Sequence, residues 1–222
     1  SYLLFTYAIC PVMCRRERPQ VADQHHVRQF LLYVFTLLIP CFVLWTVASG
    51  PIAIPAIGVA NMILSSWFPD VVNGLFVDGP NALLLTEFGE QNGRPIPLSQ
   101  AEYRLGFVMN TRILSYSLPF YTALHFATQK KEYLGSYIWG LIVLFPLIIF
   151  GLLCLCLKEL MINLGGLFFN QPGVFVPNSN VIALLYQLNV LIIPTLAPSI
   201  LWLWQSRNSA LLQNSLGTYS QA

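Results

Sequence analysis

The sequence predicts an all-α integral membrane protein with about four proline-kinked transmembrane helices, an interfacial or re-entrant helix and a small periplasmic β-containing loop. Three observations support this fold class. The 222 residues are 56% hydrophobic and only 9% charged, whereas soluble domains are about 25% charged. The mean hydropathy is +0.64, and four uncharged apolar runs approach the roughly 20 residues that a helix needs to cross the hydrocarbon layer. A soluble globular enzyme is therefore excluded.

The four apolar runs define the predicted transmembrane helices, which are 29–49, 113–129, 133–157 and 181–204. The second run is the shortest, so that crossing requires Arg112 to extend its side chain toward the interface.

Every predicted span contains proline, namely Pro40, Pro119, Pro146 and the pair Pro194 and Pro198. Proline removes a helical hydrogen bond and clashes with the preceding turn, so we expect each helix to bend or unwind there.

A fifth apolar stretch, 50–68, is interrupted by Pro51, Pro55 and Gly58. These residues favour an interfacial or re-entrant helix over a crossing. A crossing here would also place Lys130 and Lys131 outside, which disfavours a five-span topology.

The charge distribution predicts the orientation, because Lys and Arg beside spans are retained in the cytoplasm. With four spans, seven of the eleven cations fall on the side of both termini, so 1–28 and 205–222 are predicted to be cytoplasmic. The apolar start Ser1–Val12 precedes its arginines, the reverse of a signal peptide, and we expect it to stay attached.

The longest polar segment, 69–112, is predicted to form a small antiparallel unit in the periplasm. Ala82 to Glu90 and Tyr103 to Met109 have the composition of strands, and Asn92-Gly93 and Pro95 to Pro97 supply turns. A second loop, 158–180, would lie on the same side.

Catalytic and cofactor chemistry is not predicted, and neither is a metal site. Known catalytic and phosphate-binding motifs are absent from the sequence, and the net charge of +2 includes no basic stripe for nucleic acid. His125 is the one ionisable residue inside a predicted span, and a hydrogen-bonded interfacial histidine is favoured over a proton relay.

Polar residues at the start of the second predicted span and within the fourth are the candidate partner contacts. Such groups either hydrogen-bond to neighbouring helices or bind a peptide or lipid headgroup, and both interpretations stay open. The candidates are Asn110, Tyr116, Tyr186, Gln187 and Asn189.

Several runs of residues resemble the exosortase H-associated membrane proteins. These runs are Asn110 to Pro119, Leu184 to Asn189, the pairs Ile193-Pro194 and Ala197-Pro198, and Leu201-Trp202. The resemblance implies a location in the bacterial inner membrane beside a sorting transpeptidase, whose essential Cys and Arg arrangement has no counterpart here. It therefore implies an accessory protein rather than the enzyme.

The predicted function is a non-catalytic accessory or scaffold subunit whose partners are membrane lipids and other integral membrane proteins. The alternative is a structural subunit of a photosynthetic or respiratory complex that contacts lipid, quinone or pigment. A metal-centred pigment would require a buried histidine, and within the spans only His125 is available. A small transporter is disfavoured by the scarcity of charge inside the spans.

Overall fold

The computed structural model describes residues 20–91, 93–128 and 133–207. These residues form a mostly helical protein with a small antiparallel sheet. Three of the described helical segments are long and apolar enough to cross a membrane: Arg28–Trp67, Leu134–Leu164 and Ser179–Ser206. The predicted cytoplasmic segments 1–28 and 205–222 lie largely outside the described residues.

Helix α1 (Gln20–Trp67) is continuous over 48 residues, which corresponds to about 72 Å at 1.5 Å per residue. The separate helix expected over 50–68 is not found, because that segment continues α1 with Pro51 and Pro55 inside it. Three small buried residues on this segment, Ala53, Ala56 and Ala60, allow neighbouring elements to approach closely. Packing of this face compensates for the hydrogen bonds that the prolines cannot donate.

The chain leaves α1 and forms four strands: β1 (Val72–Asp78), β2 (Asn81–Gln91), β3 (Arg94–Pro97) and β4 (Arg104–Asn110). All pairings are antiparallel and all involve β2. Gly89 of β2 pairs with both Ile96 and Arg104, so β3 and β4 lie on opposite edges of β2. Leu85 likewise pairs with β1 on one side and β4 on the other. Strands β1 and β3 therefore follow one another along the same edge.

The small antiparallel unit is confirmed, and the two predicted strands are present as β2 and β4. Strands β1 and β3 were not predicted. Strand β1 begins with a register irregularity between Val72 and Gly74, and β3 contains Pro95 and Pro97. Proline is tolerated in an edge strand because its missing N–H can face away from the ladder.

Helices α2 (Arg112–Ser115) and α3 (Ser117–Ala127) return the chain along α1. At the end that carries the sheet, which we call the sheet end, Arg112 Nε donates to Ser49 Oγ at 3.2 Å. At the opposite end, Leu124 and Ala127 pack with Val34 of α1. Helices α2 and α3 together are therefore antiparallel to the first half of α1.

Helix α4 (Tyr133–Leu164) runs back to the sheet end, where it is followed by the short α5 (Gly166–Phe169). Helix α6 (Ser179–Gln187), a π-helical turn (Leu188–Ile192) and α7 (Ile193–Ser206) then descend to the opposite end. There the ring of Trp202 stacks on Phe30 with centroids 5.3 Å apart. The described helices thus form four antiparallel columns, which run up, down, up and down.

Two of the prolines coincide with interruptions of a helix. Tyr116 separates α2 from α3 three residues before Pro119, and the π-helical turn ends just before Pro194. In both cases the proline occupies the first turn of the following helix. Backbone N–H groups in a first turn have no acceptor within the helix, so proline removes no helical hydrogen bond there. By contrast, α1 and α4 continue through their internal prolines.

The main hydrophobic core lies at the sheet end, between α1, α4, α5 and the inner face of the sheet. Leu64, Leu84 and Leu160 are fully buried in it, and the rings of Phe68 and Phe168 lie 5.3 Å apart. Because one core contains residues from all these elements, the sheet is fixed to the second half of α1 and to the end of α4.

Candidate functional site

The five candidate partner contacts do not form one cluster. Two lie where the sheet joins α2, two lie near the junction of α6 with the π-helical turn, and one lies inside the bundle. The exposed residues among them can contact another protein, whereas the buried ones form contacts within the chain.

Asn110 and Tyr116 flank the start of the second column. The Asn110 side-chain oxygen accepts a hydrogen bond of 3.0 Å from the backbone N–H of Arg112, so it helps to begin α2. Tyr116 is half-buried and lines an apolar groove of about 470 Å³ between α1, α3 and α7, beside Phe42 and Phe120. Asn110 thus has a local structural role, whereas Tyr116 faces an apolar surface.

Tyr186 is half-buried against the main core. The Lys158 ammonium lies 5.2 Å from the centre of its ring, a cation–π arrangement. Lys158 also forms an ion pair of 2.8 Å with Glu159. Tyr186 therefore helps to hold the first charged residues of α4 against α6.

Asn189 lies inside the bundle with 2% of its surface exposed. Its amide nitrogen donates to the Leu185 carbonyl at 2.8 Å and lies 3.5 Å from Cys154 Sγ on α4, while its oxygen has no hydrogen-bond partner among the described residues. The residue is in contact with another helix of its own chain, as the interhelical interpretation expects.

Gln187 is exposed, although it lies within the candidate span Ser179–Ser206. Its side chain has no hydrogen-bond partner among the described residues. Leu184 and Leu191, three residues before and four after, are also exposed. The three residues are spaced so that they share one face of the helix. This face, which we call the Gln187 face, presents an unpaired amide in an apolar surface.

The outer face of the sheet is a second apolar surface, and it was not predicted. Phe76 of β1 and Val108 of β4 both pair with Leu83, so the three side chains lie in one row across the sheet. Phe76 is 49% exposed and Val108 is 61% exposed. The run Leu83-Leu84-Leu85 carries the sequence signal, because three consecutive apolar residues in a strand place apolar side chains on both faces.

Beside this row, the polar residues form a small network. Glu87 accepts a hydrogen bond of 2.6 Å from Asn73 and one of 3.3 Å from Arg104. The outer face therefore combines an apolar row with a rim of polar and charged groups, which is the composition of many protein-binding surfaces.

His125 is 2% exposed and packs among aromatic rings near the end opposite the sheet. The rings of Tyr121 and Tyr137 lie 5.6 and 5.4 Å from its own. Tyr121 Oη is 2.8 Å from the Gln205 side-chain oxygen of α7. In the described part of the chain, no three His, Cys, Asp or Glu side chains are grouped so as to hold a metal ion.

Comparison with known proteins gives one family. The family model described as "Exosortase H-associated membrane protein" matches residues 24–209, which include every described helix that could cross a membrane and the whole sheet. No curated protein and no solved structure matches the chain.

Proposed function

Because the chain belongs to the family of exosortase H-associated membrane proteins, we propose that it is a non-catalytic accessory subunit of a bacterial inner-membrane complex. Its partner is the sorting enzyme after which the family is named. The subunit contributes helix faces and the outer face of its sheet to the complex, and it contributes no reacting group.

The Gln187 face carries this proposal. A side-chain amide that is exposed within an apolar span and has no partner among the described residues would face hydrocarbon, where an unpaired polar group is costly. Hydrogen bonds between membrane helices contribute about 0.6 to 2 kcal/mol each. A helix of another protein that pairs with Gln187 and packs against Leu184 and Leu191 removes this cost.

The proposed topology has four crossings, with α2 and α3 together as the second. They cover 112–127, about 22 Å of helix, beside the first half of α1. The half-buried Arg112 at one end and Thr128 at the other would complete this short crossing. Four crossings return both termini to the cytoplasmic side and place the sheet in the periplasm, in agreement with the charge distribution.

Gln187→Leu tests the proposal. The variant replaces the amide with an apolar side chain of similar length, so we expect it to insert normally. When the tagged full chain is purified in mild detergent, the variant should recover much less sorting enzyme. The control is Gln29→Leu, the same change at an exposed position near the start of α1. Equal recovery of the enzyme with both variants would contradict a partner contact at Gln187.

A second pair of variants tests the outer face of the sheet. Val108→Lys places a charge in the middle of the apolar row, whereas Tyr103→Lys places one just before β4 at a position that is 78% exposed. We expect only Val108→Lys to reduce recovery of the enzyme. If neither variant changes recovery while Gln187→Leu does, the partner binds the helices alone.

A further inference from the structure

A cavity of about 520 Å³ lies between α1, α2, α3 and α4. Its lining is almost entirely apolar and includes Leu44, Ala53, Leu118, Leu141, Phe145 and Leu152. Cavities of about 300 to 1,000 Å³ are typical of sites for small ligands. Leu44 at its margin is 70% exposed, so the cavity is adjacent to the surface of α1 that faces the bilayer in the proposed topology.

The side-chain N–H and hydroxyl groups in the lining already have partners within the chain. Trp45 Nε1 donates to Ser115 Oγ at 3.3 Å, and the hydroxyls of Thr122 and Tyr137 lie 3.0 Å apart. Thr111 Oγ1 donates to the Pro80 carbonyl at 2.7 Å. Because these groups are satisfied, the cavity favours an occupant that needs no hydrogen bonds along its length, which is the property of a hydrocarbon chain.

The cavity is long enough to hold an extended acyl chain. Its lining extends along the second column from Thr111 to Thr122, about 16 Å of helix, and one leaflet of hydrocarbon is about 15 Å thick. On α1 the lining begins at Cys41, near the middle of the predicted span 29–49, and continues past its sheet end. On α4 the lining runs from Tyr137 to Leu152, about 22 Å, so the cavity extends from the sheet end past the middle of the predicted span 133–157.

Arg112 follows Thr111, the residue at which the lining of the second column begins at the sheet end. It is half-buried beside the lining residue Thr111, and its Nε donates to Ser49. No acidic side chain in the described part of the chain forms an ion pair with it. A guanidinium without an anionic partner at a membrane interface is suited to bind phosphate through its remaining N–H groups.

We propose that the cavity binds one acyl chain of a phospholipid from the leaflet on the sheet side, with the lipid phosphate on the Arg112 guanidinium. The lipid fills the space between the first three columns and contacts α1 along the cavity. This site depends on the membrane location of the helices, but it does not depend on the sorting enzyme.

Cross-linking in the purified full chain tests the site. The chain is reconstituted in lipid nanodiscs with a phospholipid that carries a diazirine in its acyl chain, and the labelled peptides are identified after illumination. We expect labels on Leu118, Leu141 and Phe145, which line the cavity. Labels confined to outward residues such as Val43 and Val47 would overturn the proposal.

A matched pair of α1 variants tests the entrance. Leu44→Trp places a large ring at the margin of the cavity, whereas Val47→Trp makes a similar change at a position that is 82% exposed and outside the lining. Both sites are on the surface, so neither change disturbs the core. We expect cavity labelling to fall only in Leu44→Trp, and equal labelling in both would contradict the site.

The headgroup contact is tested with a diacylglycerol that carries the same reactive chain but no phosphate. The unmodified chain should label about tenfold better with the phospholipid than with the diacylglycerol, and Arg112→Gln should lose this preference. A preference that survives in Arg112→Gln would overturn the role of Arg112. Co-purification of a quinone or a protein helix in the cavity instead of phospholipid would overturn the choice of ligand.

Discussion

The side-chain oxygen of Asn61 in α1 accepts a hydrogen bond of 2.7 Å from the backbone N–H of Leu75 in β1. Leu75 is buried, and its N–H would otherwise have to find a partner in the core. One amide near the end of a long apolar helix thus fixes the first strand to that helix.

Asn61→Ala should therefore loosen the sheet. The loss leaves the Leu75 N–H unsatisfied, which costs about 1 to 3 kcal/mol, so we expect a lower unfolding temperature in detergent and faster amide exchange in β1. Ser65→Ala is the control, because it removes only the 3.3 Å bond from Ser65 to Asn61. Similar losses in the two variants would contradict a specific role for the Asn61–Leu75 bond.

Gly140 allows α4 to approach Tyr121 of α3. A methyl group added at Gly140 would overlap the Tyr121 hydroxyl and ring, and Tyr121 is fully buried. We expect Gly140→Ala to lower the free energy of unfolding by about 1 to 3 kcal/mol through overpacking. Gly135→Ala on the same helix meets no atom within 4 Å, so its stability should be unchanged or slightly higher. Thermal unfolding of both variants measures the difference.

Asn189→Leu tests whether the buried Asn189 and the exposed Gln187 have different roles. The Asn189 oxygen lacks a partner among the described residues, and the Leu185 carbonyl to which its nitrogen donates also accepts from the Leu188 backbone N–H. Leucine, which has the same branched shape, should therefore leave stability nearly unchanged. Since Asn189 is buried, recovery of the sorting enzyme should also be unchanged, in contrast to Gln187→Leu. Loss of the complex in Asn189→Leu with stability intact would contradict this assignment.

Thiol labelling measures the proposed topology. In a variant without native cysteines, Asp78→Cys introduces an exposed thiol beside the β1–β2 turn, and Gln29→Cys introduces one near the start of α1. A membrane-impermeant maleimide should label Asp78→Cys in spheroplasts and Gln29→Cys only after lysis. Labelling of both in spheroplasts would contradict the four-crossing arrangement.

The sequence predicts that long apolar helices are present, because hydrophobic length alone indicates them, and three described helices are long and apolar enough to cross a membrane. It does not predict the continuity of α1, since Pro51 and Pro55 normally argue against a helix. Tertiary packing of the face that contains Ala53, Ala56 and Ala60 stabilises the continuous helix. Strand β3 was missed for a related reason, because its two prolines indicate a turn until the edge position is known.

The candidate contacts show the same limit. Gln187 and Asn189 are two residues apart and chemically similar, yet one is exposed and the other is buried. The π-helical turn at Leu188–Ile192 lies at this point and changes the angular phase of the helix. Residues two apart on a helix point about 200° apart, so opposite faces could be predicted from the sequence. The backbone geometry was required to decide which of the two residues faces the bundle.

The continuity of α1 has a consequence for sequence length variation. Each residue inserted between Ser49 and Asn61 would raise the following part of the helix by about 1.5 Å and rotate it by about 100°. The Asn61–Leu75 bond and the Phe68–Phe168 contact would then both be out of phase. Related sequences should therefore show no insertions or deletions between Ser49 and Asn61. Length changes at the exposed turn at Gly93 would not alter the orientation of a helix and should be tolerated.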